Sequence, residues 1–173
     1  VKILRKNFYQ KFFLSSGTLL GCIRDKDFID WDDNIDLSFY LQKNSLDELK
    51  KLQKIFIKNN FISRLVVKPN YLKLSNFKYG YKLDLYSSYG YKGFYHCNLH
   101  KIPINLCNKL KIINFKRIKI LIPAKHEKYL AYLYSNWREP QKKNYETFQS
   151  TTTTDLRFFL VTMFKFFFRS LLN

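Results

Sequence analysis

Residues 34–40 alternate between polar and apolar side chains. Successive side chains of a strand point to opposite faces, so this period of two predicts a β-strand with one buried face. The two faces differ completely in chemistry, with Ile35, Leu37 and Phe39 on one and Asn34, Asp36 and Ser38 on the other. The segment therefore predicts a sheet whose polar face carries an acid.

Other periodic patterns predict the elements around this strand. Residues 45–48 (SLDE) form a capping box, which predicts a helix that ends at residues 59–60. In the segment 81–87, Asp84 stands between Leu83 and Leu85, again with the alternation of a strand. Further strands are predicted at 61–67, at 71–77 and, as a pair, around 110–122.

The segments before residue 34 and after residue 122 predict helices and a turn. Gly17 and Gly21 predict a tight turn, and Pro123 is suited to the first position of a helix that runs to about Tyr134. Apolar residues at helical spacing predict a further helix near the N-terminal end: Leu4, Phe8 and Phe12.

Residues 149–154 form a polar linker, which predicts a domain over 1–148 and a separate tail over 149–173. On a helix over 155–172, Arg157, Lys165 and Arg169 would share one arc opposite apolar residues. Such a basic amphipathic helix is typical of segments that lie on a membrane surface. Packing against the domain or against a second copy is the alternative. No apolar run reaches the roughly 18 residues of a membrane-spanning helix.

The chain is strongly basic, with 31 Lys and Arg against 13 Asp and Glu, a net charge of +18. This excess favours a phosphate-bearing partner. Part of it reflects a composition rich in Lys, Asn, Ile, Phe and Tyr, as AT-rich coding sequences produce, so we do not expect nucleic acid as the partner. Three scattered cysteines indicate a reducing compartment, and we expect a cytoplasmic protein.

The residues that carry chemistry are acids on two predicted strands. Asp32, Asn34 and Asp36 are two residues apart, so their side chains project the same way. Carboxylates held this close repel one another unless a cation lies between them, and hard oxygen ligands suit Mg²⁺ or Mn²⁺. Asp84, on another strand, is suited to complete the site.

A phosphate-binding element is predicted next to these acids. At Gly17 the backbone N–H groups are accessible to a phosphate, which the Thr18 hydroxyl can hydrogen-bond and Arg24 can neutralise. Each of these features alone is common in tight turns and solvated strands. Their order along the chain, together with the acids, predicts a phosphate-handling metal site.

The same residues resemble the signature of the LicD family of phosphotransferases. The resemblance begins with residues 17–21 (GTLLG), Arg24 and residues 28–36 (FIDWDDNID), and it extends over about residues 12–142. Residues 82–86 (KLDLY) are similar to the family's later strand with a single acid. The family's C-terminal box is matched by residues 122–123 (IP), 128–130 (KYL) and 134–140 (YSNWREP).

This resemblance implies an α+β fold of the polymerase-β-like nucleotidyltransferase type, a mixed sheet flanked by helices. It implies transfer of a phospho-alcohol, such as phosphorylcholine, from a CDP-linked donor to a sugar hydroxyl of a surface or lipid-linked glycan (lipopolysaccharide or capsule), at the inner membrane face. Asp32, Asp36 and Asp84 would be catalytic, and with Asn34 would hold Mg²⁺ or Mn²⁺. Asp84 would be a further metal ligand or the base that accepts the proton of the sugar hydroxyl. The donor would be bound by Gly17, Thr18, Arg24 and Trp137.

Departures from the family pattern leave two other functions open. The middle position of the acidic triplet, usually Asp in the family, is Asn34, which removes one negative charge from the site. A degenerate LicD-like binding protein is therefore one alternative. The other is a nucleotidyltransferase acting on RNA or a small molecule, which the positive charge would suit.

Overall fold

The computed structural model describes residues 2–7, 11–40, 45–68, 71–91, 93–97 and 100–140. The chain divides into two compact units, Val1–Arg138 and Glu139–Asn173. The predicted linker and the helix over 155–172 lie outside the described residues, and the predicted boundary at 148 stays a prediction. Across the described part of the chain, none of the helices has the length and apolar character needed to cross a membrane.

Five helices and nine strands make up the part of the chain that the structure describes. The helices are α1 (Lys2–Asn7), α2 (Ser16–Arg24), α3 (Ser45–Lys58), α4 (Ile104–Cys107) and α5 (His126–Tyr134). The strands are β1 (Phe12–Leu14), β2 (Asn34–Tyr40), β3 (Ile62–Lys68), β4 (Tyr71–Lys78), β5 (Tyr81–Tyr91), β6 (Phe94–Cys97), β7 (His100–Pro103), β8 (Leu110–Phe115) and β9 (Ile118–Pro123).

Seven of these strands form one mixed sheet in the order β3-β4-β5-β2-β1-β9-β8. The pairs β2–β5 and β1–β9 are parallel, and the other neighbours along this order are antiparallel. Strands β6 and β7 continue from the far end of β5 as an antiparallel ladder. The mixed sheet with its helices confirms the predicted α+β fold class.

The two faces of the sheet have different roles. In the apolar face, Leu37, Leu74 and Leu85 are buried on neighbouring strands. Helix α3 lies against β3 and β4 on this side and buries Leu49 and Phe56. Burying a large apolar side chain contributes about 1.5–3 kcal/mol, so this packing holds the central strands in register. The opposite face, here called the acidic face, carries Asn34, Asp36 and Asp84.

The predicted strands agree with the structure, whereas three local predictions were wrong. Gly17 and Gly21 lie inside helix α2 rather than in a turn, and Phe12 belongs to β1 rather than to a helix. Pro123 ends strand β9, and the helix starts only at His126. Proline has no N–H to donate but is tolerated at the end of a strand, so its presence did not decide between the two elements.

Candidate active site

The centre of the acidic face is a pair of aspartates on adjacent parallel strands. Strands β2 and β5 pair so that Asp36 lies directly opposite Asp84, 48 residues later in the chain. Side chains at paired positions share one face of a sheet, so the two carboxylates lie side by side. Both residues are buried, with 7% of Asp36 and 1% of Asp84 exposed.

Asn34 connects the two aspartates. Its Nδ2 donates to Asp36 Oδ1 at 2.5 Å and lies 3.3 Å from Asp84 Oδ2. Asparagine carries two N–H donors, whereas an aspartate at this position would bring a third carboxylate toward the other two. In this chain Asn34 therefore relieves, through hydrogen bonds, part of the repulsion that a third acid would increase.

Within the described part of the chain, Asp84 is contacted on one of its two oxygens. Lys73 Nζ lies 2.8 Å from Oδ2, Lys82 Nζ lies 3.8 Å from the same atom, and the Tyr86 hydroxyl donates to it at 3.3 Å. The other oxygen, Oδ1, is buried and has no hydrogen-bond partner among the residues that the structure describes. A buried carboxylate oxygen without a partner is costly, which indicates a place for a ligand.

The environment of Asp36 disfavours its charged form. Burial, followed by the nearby charges of Asp84 and Asp32, raises its pKa from 3.8 to about 7, although Lys73 and the Asn34 hydrogen bond act in the opposite direction. Like charges at close range make one carboxylate retain its proton. A cation bound between the acids would offset the repulsion between these like charges.

Asp32 reaches the site from a loop rather than from the strand. It precedes β2, and its N–H donates to the carbonyl of Ile29. Its carboxylate lies against the first turn of α2, where a Cβ added to Gly17 would be 2.2 Å from Asp32 Oδ2. Gly17 is thus required for the close approach of Asp32, whereas the prediction had assigned it a turn beside a phosphate.

The start of helix α2 is attached to β2 at the level of Asp36. Thr18 Oγ1 accepts a hydrogen bond from the Asp36 N–H at 2.8 Å, and the N–H of Ser15 donates to the Asp36 carbonyl at 3.2 Å. Two residues further along β2, Ser38 Oγ donates to Ser15 Oγ at 2.8 Å. These bonds fix the backbone that carries Asp36, and the predicted contact of Thr18 with a phosphate stays a prediction.

Arg24 and Trp137 have contacts within the protein. The Arg24 guanidinium makes a two-point ion pair with Asp25, at 2.7 and 2.8 Å. Trp137 is 6% exposed, and Arg138 lies 4.4 Å from its ring centroid. The Trp137 Nε1 is buried without a hydrogen-bond partner among the described residues. The predicted donor-binding roles of both residues, and of Gly17, stay predictions.

Residues near the acids that the predicted site lacks include Lys73 and Tyr134. Lys73 reaches Asp84 from β4, and Tyr134, at the end of α5, has its pKa raised by burial and by the charges of Asp36 and Asp32. Lys73 is one of 31 basic residues and has no local signature. Only the register of β4 against β5, which pairs Ser75 with Asp84, places it beside the acid.

The donor set fits a divalent cation in its chemistry but is not a complete ligand shell. Among the described residues, no group of three or more His, Cys, Asp or Glu side chains is arranged to hold a metal ion. Asp36 and Asp84 do form a carboxylate pair with one unpartnered oxygen, and oxygen ligands of this kind suit Mg²⁺ or Mn²⁺. The residues present therefore fit such an ion.

Comparison with known proteins adds to this geometry. Residues 10–125, more than half of the chain, match the family model described as LicD/FKTN/FKRP, nucleotidyltransferase domain. Among solved structures, one similar chain is that of the crystal structure of ANT(2")-Ia in complex with adenylyl-2"-tobramycin. The similarity has 15% sequence identity and a TM-score of 0.49, and it covers 99% of this chain and 94% of that chain. No curated protein matches this sequence.

Proposed function

This chain belongs to the LicD family, and from that premise we propose that it transfers a phospho-alcohol from a CDP-linked donor to a sugar hydroxyl. The donor would be CDP-choline, CDP-ribitol or a similar compound, and CMP would be released. The acceptor would be a surface or lipid-linked glycan. The single observation that carries the proposal is the buried pair Asp36 and Asp84 on adjacent parallel strands, with one oxygen unpartnered.

In this proposal, Asp36 and Asp84 hold a divalent cation, with Asp32 and Asn34 as further oxygen donors. When bound, Mg²⁺ or Mn²⁺ would neutralise charge on the diphosphate of the donor. Asn34 then needs to present its carbonyl oxygen instead of its amide nitrogen, a rotation about the bond to that group. The chain's own residues do the rest of the work by orienting the reactants and moving one proton.

Asp36 is better suited than Asp84 to accept the proton of the attacking sugar hydroxyl. Asp84 is 1% exposed and already carries two lysines and a tyrosine hydroxyl on Oδ2. Asp36 is more exposed, at 7%, so it is the acid that a sugar hydroxyl can reach, and a carboxylate can serve as a general base there. We therefore assign the base to Asp36, and to Asp84 the role of a fixed ligand of the cation.

The proposed location is the cytoplasmic face of the membrane. A lipid-linked acceptor lies in a membrane, and the basic segment over 155–172 would bring the catalytic domain to that surface. This segment lies outside the described residues, so the support comes from the charge pattern of the sequence alone. Binding of vesicles that contain anionic lipid by the full chain tests this part of the proposal separately.

The activity test uses the purified full chain with CDP-choline or CDP-ribitol, a panel of saccharide acceptors, and Mg²⁺ or Mn²⁺. We expect release of CMP that depends on both the acceptor and the metal. A folded protein that releases no CMP from either donor, with any acceptor or metal of the panel, contradicts the proposal. Salt-sensitive RNA binding would instead support the RNA nucleotidyltransferase alternative.

A second candidate is a LicD-like protein that binds the donor but does not turn it over. The observation that favours it is the way Asn34 and Lys73 already satisfy part of the carboxylate pair without a metal. Donor binding by calorimetry without CMP release, and without uptake of Mn²⁺, would select this candidate over the transferase.

Gly17→Ala is expected to reduce transfer without destabilising the protein. The added Cβ would lie 2.2 Å from Asp32 Oδ2, and the end of a side chain can move away. Alanine is also the better helix former inside α2, by up to about 1 kcal/mol. We expect transfer to fall by roughly a hundredfold, because small displacements at a site are costly. Transfer rates and denaturant unfolding measure the two effects.

Gly21→Ala, on the same helix, is the matched control for the effect of an added Cβ on stability. Its Cβ would lie 2.6 Å from the backbone oxygen of Asp27 and 3.1 Å from the backbone nitrogen of Ile29. Backbone cannot move away as a side-chain end does, so this variant should lose about 1–3 kcal/mol of unfolding free energy. Full transfer activity of Gly17→Ala would contradict the role given to Asp32.

A further inference from the structure

Lys73 stands out because it places a positive charge against the most buried acid of the site. Its Nζ lies 2.8 Å from Asp84 Oδ2, whereas Lys82 Nζ is 3.8 Å away. Lys73 comes from β4, on the side of β5 opposite to β2. Asp84 is thus flanked by Asp36 on one side and by an ammonium group on the other.

The position of this ammonium group is fixed by its surroundings. Lys73 Nζ lies 4.9 Å from the centroid of the Tyr86 ring, and the Tyr86 hydroxyl donates to the same Asp84 oxygen at 3.3 Å. The Lys73 side chain is only 21% exposed. Ion pairs and cation–π contacts are stronger when water is excluded, so Lys73 is held on Oδ2 rather than free to sample solvent.

The charges of the site argue against two divalent cations. Three carboxylates, those of Asp32, Asp36 and Asp84, act on one another, and Asn34 adds no fourth. Two ammonium groups, from Lys73 and Lys82, already lie within 4 Å of Asp84. One divalent cation carries more charge than the negative charge that the two ammonium groups leave on the three carboxylates. A second divalent cation would face an ammonium group at the position where it needs a carboxylate oxygen as ligand.

We infer that Lys73 is a built-in cation of this site, which occupies Asp84 Oδ2 and limits the site to one divalent metal ion. Asp84 Oδ1, without a partner among the described residues, is left for that ion together with Asp36. The inference rests on the metal-binding part of the proposed function. It makes Lys73 a positioning residue, which acts through Asp84.

The test is a Mn²⁺ titration of the full chain, followed by the electron spin resonance of free Mn²⁺ and by calorimetry. We expect one Mn²⁺ per wild-type chain. Lys73→Met should bind a second Mn²⁺, or bind the first about tenfold more tightly, the factor that corresponds to about 1.4 kcal/mol. Lys73→Arg, which keeps the charge, should restore the wild-type stoichiometry and affinity.

Lys78→Met is the matched control, on the same strand. Lys78 Nζ donates to the carbonyl of Asn59 at 2.9 Å, and among the described residues it has no acid as an ion-pair partner. This variant should bind Mn²⁺ as the wild type does, so an equal change in both Met variants would mean a general loss of surface charge. If Lys73→Met fails to fold, Lys73→Gln and the Arg variant make the same comparison.

Three results would overturn the inference. One is two Mn²⁺ ions per wild-type chain, and a second is identical Mn²⁺ binding by Lys73→Met, Lys73→Gln and the wild type. Absence of Mn²⁺ binding from all variants, Lys73→Met included, also counts against it. Failure of the proposed function looks different, since a chain that binds one Mn²⁺ but releases no CMP retains this inference and loses only the transferase.

Discussion

Asp36→Asn is expected to lower phospho-alcohol transfer at least about a thousandfold while the protein stays folded. The change keeps the size of the side chain and removes its charge and its capacity to accept a proton. In the structure Asp36 is paired with Asp84 and hydrogen-bonded to Asn34, so both metal binding and proton transfer would lose their central group. Initial rates of CMP release measure the effect.

Asp47→Asn is the control for this loss. Asp47 lies on α3 with 73% of its side chain exposed, and its pairing partner is Lys50, one turn along the helix. The variant removes the same charge at a distance from the acidic face and should retain wild-type rates. If Asp36→Asn keeps more than a tenth of the activity, Asp36 is neither the base nor an essential metal ligand.

The second large effect concerns stability in the absence of metal, where the unfolding free energy should fall as the pH rises from about 4 to 7. The pKa of Asp36 is 3.8 for the ordinary side chain and about 7 in the folded protein. Between these values the native state retains a proton that the unfolded chain has released, so protonation stabilises the native state. At about 1.36 kcal/mol per pKa unit, the contribution lost is at most about 4 kcal/mol.

Asp36→Asn should remove this dependence. An amide cannot titrate, so the variant is expected to be more stable than the wild type at pH 8 and similar to it at pH 4. Denaturant unfolding at several pH values in the presence of EDTA makes the comparison, with Asp47→Asn again as the control. Parallel pH profiles for wild type and Asp36→Asn would show that Asp36 is ionised throughout in the metal-free protein.

The predicted strands and acids show how far local patterns lead. The alternation in residues 34–40 predicted strand β2 with its bounds, and the alternation around Asp84 predicted the first part of β5. These patterns are local, because a strand's period of two appears in neighbouring residues. The family signature in residues 17–36 lay in the same continuous stretch, and the family model matches it.

The glycines were less informative about local structure. Gly17 and Gly21 predicted a turn, yet both lie in α2, where the absence of a Cβ allows contact with Asp32 and with residues 27–29. A glycine reports that a Cβ is excluded, but it does not tell whether conformation or a neighbour excludes it. The neighbour is known only from the folded chain.

The sequence alone predicted the strand that carries Asp36, the acid on a second strand, and the family to which the chain belongs. The tertiary structure decided that β2 and β5 are parallel neighbours in a register that sets Asp36 beside Asp84, and that β4 brings Lys73 to the same carboxylate. The reason is physical: strand periodicity arises between adjacent residues, whereas register depends on how several distant segments pack together over one core.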